Sequence, residues 1–222
     1  MKRRTSVTAV SAAALLVAAP LLTGCSTEAH PGAAAVVGDE RITIASVQER
    51  VETVRQAQRE QPEGDQLLQA SGGLTRQTVS FLVYLEVLEQ TAEANGVEIT
   101  RREIQESRAL AEASAGGAEA LERSALVANA LPMAGEEQIE QMLAGQLMFQ
   151  GLASRLNAPP GPEGDQLIQQ ALAETAEEIG VEVNPRYGEW DSQQSVLADA
   201  DTPWLRVEAP AAGTEGIPAP PA

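Results

Sequence analysis

Apolar residues recur at helical spacing through most of the chain and at strand-like spacing only near the two ends of that helical stretch. Ala33 to Val37 is a run of small and β-branched residues, Gly38-Asp39 is a turn pair, and Glu40-Arg41-Ile42 resumes an extended pattern; together they predict two short strands. Thr43 is placed to cap the helix that follows, in which Ile44, Val47, Val51 and Val54 repeat at steps of 3, 4 and 3 and share one face. Gln61-Pro62-Glu63-Gly64 ends that helix near Glu60. A short helical piece at Asp65 to Ala70 precedes the break Ser71-Gly72-Gly73. Thr75 to Asn95 then reads as the long central helix. Phe81-Leu82-Val83-Tyr84-Leu85 is apolar around its whole circumference, so this helix requires cover on several sides.

Asn95-Gly96 stops the central helix, and Thr100-Arg101-Arg102-Glu103 is a capping box opening another helix to about Ala113. Gly116-Gly117 separates it from a helix over Ala118 to Ala130, closed by Pro132. A further long helix is expected from Glu136 to Leu156, with no charged side chain among the 14 residues from Gln141 to Ser154. Ile139, Leu143 and Leu147 form one stripe on it, Met142, Phe149 and Leu156 another, and Met148 and Leu152 face elsewhere. Two readings follow: a buried core helix whose Gly145 and Gly151 allow close packing, or an adaptable apolar groove for peptides lined by Met142, Met148, Phe149 and Leu152. Asn157 to Gly164 reads as a Pro/Gly linker. Leu167, Ile168, Ala171, Leu172, Thr175 and Ile179 mark a last helix ended by Gly180, and Val181 to Trp190 reads as a strand with a turn in it. From Asp191 onward the chain is polar and then Ala/Pro-rich, which predicts a disordered tail over 191–222. The octets Pro62 to Gln69 and Pro162 to Gln169 match closely at a spacing of 100, as two repeats or as one way of starting a helix used twice.

The first residues change the picture of where this helical domain resides. Met1-Lys2-Arg3-Arg4 is a positive segment, Val10 to Leu22 is apolar apart from Ser11 and Pro20, and the run is too short for a bilayer-spanning helix. It ends in Leu22-Thr23-Gly24-Cys25, which resembles the bacterial lipobox. That resemblance implies cleavage between Gly24 and Cys25, a diacylglyceryl group on the Cys25 thiol, and residence on the extracytoplasmic face of the cell membrane. Cys25 is the only cysteine in the chain, so no internal disulfide is available. Residues 1–24 are thus expected to be a signal peptide, 25–33 a flexible tether and 34–190 the folded domain. Cleavage would remove Lys2, Arg3 and Arg4 and no acidic residue, taking the formal charge from −17 to −20. So acidic a chain is unsuited to nucleic acid and to electrostatic attachment to anionic lipid, which leaves the lipid as the anchor.

The inventory of reactive groups is poor. The sole histidine, His30, lies in the tether, the sole cysteine is committed to lipidation, and no HExxH, GxSxG, Walker A or GxGxxG pattern occurs. Asp199 and Asp201 lack the further ligands of a calcium loop, and Glu136-Glu137 and Glu177-Glu178 are helix neighbours that do not face one another. No catalytic residue, metal, cofactor or nucleotide is expected, and the chain reads as a binding protein rather than an enzyme.

Ala35-Val36-Val37-Gly38-Asp39-Glu40-Arg41-Ile42-Thr43, running into Val47 and Val51, resembles the opening of the SurA N-terminal domain, of the SurA/PrsA/trigger-factor type of chaperone. Ala171 to Ile179 followed by Val181 to Gly188 resembles the closing part of that domain, with the linker at 157–164 where relatives carry a parvulin-type prolyl isomerase. The resemblance implies a mostly α fold in which N- and C-terminal strands pair and clasp the helices. It also implies binding of unfolded or partly folded secreted polypeptides, without isomerase activity. The alternative is an accessory lipoprotein that docks on one envelope complex.

Overall fold

The computed structural model describes residues 31–128 and 131–199. The expected signal segment, Gly24, Cys25, most of the tether and the tail beyond Asp199 lie outside the described residues. Among those described are seven helices and five short strands: β1 (Ala33–Val37), β2 (Glu40–Thr43), α1 (Ile44–Arg59), α2 (Gly64–Ala70), α3 (Leu74–Ala94), α4 (Arg101–Ala115), α5 (Ala118–Leu126), α6 (Glu136–Arg155), α7 (Pro162–Ile179), β3 (Val181–Val183), β4 (Glu189–Asp191) and β5 (Val196–Ala198). The fold is mostly α, as expected.

β1 is the middle strand of a three-stranded antiparallel sheet in the order β2-β1-β3. Gly38, at φ 57°, makes the turn into β2, where Val37 faces Glu40 and Ala35 faces Ile42. On its other edge β1 pairs with β3, Ala35 against Val183 and Val37 against Val181. Gly38 N–H donates to the Gly180 carbonyl and Asn184 N–H to that of Ala34, extending the ladder at both ends. Two segments from opposite ends of the helical region thus satisfy each other's backbone groups. The small residues of β1 allow the sheet to sit close on α3: Ala33, Ala34, Ala35 and Val37 are all buried.

The central helix is covered as its apolar run requires. α1, α6, α7, β1 and β5 all pack on α3, burying Val79, Leu82, Val83, Leu85, Val87 and Leu88. Its buried Thr78 and Thr91 donate their hydroxyls to the Leu74 and Val87 carbonyls, so neither polar group is stranded. α1 presents Val47, Val51 and Val54 to this core, and α7 presents Ile168, Leu172 and Ala176. Thr43 accepts a hydrogen bond from Ser46 N–H at 3.0 Å, and Thr100 and Glu103 form the reciprocal capping box of α4.

Three boundaries differ from the sequence reading, each for a local reason. α7 begins at Pro162, inside the expected linker, because a proline at the first position of a helix forgoes only a donor that would be unpaired there anyway. α5 stops at Leu126, short of Ala130, and Met133 N–H returns to the Ala125 carbonyl. The expected disordered tail is corrected over residues 191–199, which form part of the domain. The Asp191 carboxylate accepts from Gln193 and Gln194 N–H, making the turn between β4 and β5. Arg76 of α3 then ties the hairpin down, donating to the Tyr187 carbonyl at 3.0 Å and the Leu197 carbonyl at 2.8 Å.

The matched octets open their helices at different points, α2 at Gly64 and α7 at Pro162, and share a buried glycine. Gly64 and Gly164 are both buried at the beginnings of α2 and α7. A side chain on Gly64 would lie 2.7 Å from the Gln58 carbonyl oxygen, and one on Gly164 would meet that of Pro159.

Candidate peptide-binding site

α3 and α6 approach one another through glycine. A Cβ at Gly145 would lie 2.7 Å from Leu85 Cδ2, and one at Gly151 would lie 2.5 Å from Val97 Cγ1. This contact divides the α3–α6 junction into two clefts that share Leu85. The first, of about 240 Å³, is lined by Phe81, Tyr84 and Leu85 from α3 and by Met142, Gly145 and Phe149 from α6. Its only other lining side chains are the uncharged Gln146 and Gln150. Burial pushes the Tyr84 hydroxyl above its ordinary pKa, so the cleft carries no charge at neutral pH.

The second cleft, of about 300 Å³, lies toward α4. Leu85 and Ala92 of α3, Val97 and Ile99 of the connection, Ile104 of α4 and Met148 of α6 form its floor. Glu89, Glu93 and Glu98 stand at its margin. A third recess of about 560 Å³ adjoins it, sharing Glu89 and Glu93 and adding Asp39, Glu40, Glu86 and Glu178. Partial burial, then the neighbouring Glu86, Glu93 and Glu40 charges, push the Glu89 carboxyl above the usual carboxylate range.

The four residues expected to line one groove are divided by helix geometry. Met142 and Phe149 are seven residues apart, two helical turns, and share the first cleft. Met148 is rotated about 100° from Phe149 and lines the second. Leu152 is a correction: it is fully buried, packed into the main core, and lines neither cleft. Phe81 and Tyr84 of α3 were missed as lining residues. Their spacing of three within the all-round apolar run was the available signal, since it puts both rings on one helix face.

Among the described residues no group of three or more His, Cys, Asp or Glu is arranged to hold a metal ion. Glu136 and Glu137 are ion-paired separately, to Arg108 at 2.7 Å and to Arg50 at 3.6 Å. No helix of the described residues is long and apolar enough to cross a membrane.

Comparison with curated proteins and with solved structures gives no match. The family profile of the SurA-like N-terminal domain, a chaperone-type and non-catalytic domain, matches residues 1–113. That span takes in the β1–β2 hairpin, α1 to α3 and most of α4, including the α3 half of both clefts. With the mostly helical architecture and the paired strands at its two ends, the chain belongs to the SurA-like N-terminal domain family.

Proposed function

We propose that the protein is a lipid-anchored, extracytoplasmic chaperone that holds non-native secreted or envelope polypeptides, with no isomerase activity of its own. The observation that carries this reading is the uncharged cleft between α3 and α6. It brings aromatic and methionine side chains to the surface in a member of a chaperone-type family. Phe and Met present large, adaptable apolar surface to partners of varied sequence, which suits a site that must accept many clients. Binding driven by apolar contact is reversible without ATP or metal.

Anchoring follows from the lipobox-like Leu22-Thr23-Gly24-Cys25. Two acyl chains supply the stable hold that one chain does not, and a chain of such negative charge gains no help from anionic lipid. Cys25→Ser is expected to release the protein from the membrane or leave it unprocessed.

Light scattering of a thermally aggregating client tests the chaperone activity. Suppression at stoichiometric amounts, weakened in a Phe81→Ser/Phe149→Ser double variant that keeps its helical circular dichroism, is the expected result. Full aggregation in the presence of the wild-type chain would contradict it. In cells, cross-linking to a spread of clients is expected, whereas one dominant partner would favour an accessory protein docking on a single complex.

A further inference from the structure

The second cleft differs from the first in having carboxylates, Glu89, Glu93 and Glu98, in its lining. We infer that it selects client segments in which apolar residues alternate with Lys or Arg, the apolar side chains seated on the Val97–Ile104–Met148 floor and the basic ones paired with Glu89 and Glu93. This rests on the chaperone reading and names the class of client it prefers.

Two observations carry it. Glu89 and Glu93 lie one helical turn apart, a rise of about 6 Å, close to the roughly 6.6–6.8 Å separating alternate residues of an extended chain. An extended segment lying along α3 therefore brings every second side chain to a carboxylate while turning the intervening ones to the floor. No Lys or Arg lines either this cleft or the acidic recess that adjoins it, so the negative potential there is not neutralised from within the lining. The upward push on Glu89 from its acidic neighbours is the local sign of that uncompensated charge, and a cation placed beside it would relieve it.

Fluorescent peptides alternating Val with Lys, Val with Gln and Val with Glu test the inference by anisotropy on the full chain. Lys over Gln over Glu is expected, with about tenfold separating the first two at low salt. The gap should shrink near 0.5 M salt, as exposed ion pairs require. Exposed Glu89 and Glu93 tolerate change, so Glu89→Gln/Glu93→Gln is expected to fold normally and to lose the preference for Lys while still binding the Val/Gln peptide. Lys2 is the only lysine of the chain. Carbodiimide coupling to the Val/Lys peptide is accordingly expected to map to Glu89 and Glu93. Equal affinities for the three peptides, or coupling spread over carboxylates elsewhere, would overturn the inference while suppression of client aggregation left the chaperone reading standing. No peptide binding together with no suppression would overturn that reading as well.

Discussion

The body around the clasp and the arm formed by α4 and α5 hold together by different means. In the body, Ala34, Val37, Val47, Val83, Leu88, Ile168 and Leu172 interlock in one cluster that draws on both ends of the helical region. The arm covers a separate small cluster of Ala125, Met133, Ile139 and Leu143, and α4 contributes no buried residue to either. Its position depends instead on Arg108, which bonds Glu112 at 2.8 Å, Glu136 at 2.7 Å and Glu140 at 3.4 Å. Burial in one large core fixes the body, whereas the arm combines a small apolar contact through Ala125 and Leu126 of α5 with the Arg108 ion pairs that tie α4 to α6. The second cleft takes its floor from both, through Met148 and Leu85 on one side and Ile104 on the other. One wall of that cleft is therefore held by fewer buried side chains than the other.

The contrast can be broken most strongly from the body. Leu88→Ala removes a fully buried side chain from the middle of α3 and is expected to cost about 2–5 kcal/mol in urea unfolding, lowering the midpoint for the whole domain. Gly145→Ala drives a methyl group into Leu85 at the α3–α6 contact, with an expected loss of about 1–3 kcal/mol and a matching fall in client binding. Arg108→Ala should cost only about 1 kcal/mol overall, yet raise amide hydrogen exchange in α4 far more than in α3; equal protection losses in both helices would erase the distinction.

Glu89→Gln is expected to have the smallest effect, a gain within about 0.5 kcal/mol at neutral pH. Its sign follows from linkage. The folded-state carboxyl titrates above its unfolded value, so the folded state binds the extra proton between the two values. Stability from this group is then lost as pH rises through that window. The stabilising effect of the substitution should be present above the window and fade as pH falls through it, and thermal melts across the acid range read this directly.

The parts of the fold that follow from short-range rules were legible in the sequence. Thr43 and Thr100 cap the helices they precede, Gly38-Asp39 turns the hairpin, and the all-round apolar run at 81–85 lies in the helix on which α1, α6, α7, β1 and β5 pack. The parts decided by distant partners were not. Val196-Leu197-Ala198 is too short to register as a strand alone; it pairs with β4 and is held on α3 by Ser80, which accepts from Leu197 N–H, and by Arg76, which donates to the Leu197 carbonyl, both more than a hundred residues away. The α6 face fell between these cases. Its uncharged stretch identified the helix as an apolar surface, and the spacing of Met142 and Phe149 placed them together. Which face α3 would cover is a property of the packing, and it sent Leu152 inward and Met148 toward α4.

The most direct test of the client-binding surface compares two positions by site-specific photo-cross-linking in the full chain. A photoreactive phenylalanine analogue at Phe149, on the α3–α6 cleft, is expected to capture an unfolding client. The same group at Leu110, which is 71% exposed on the arm, is expected to capture far less. Capture at Leu110 equal to or above that at Phe149 would show that exposure alone governs contact, and that the cleft is not where clients are held.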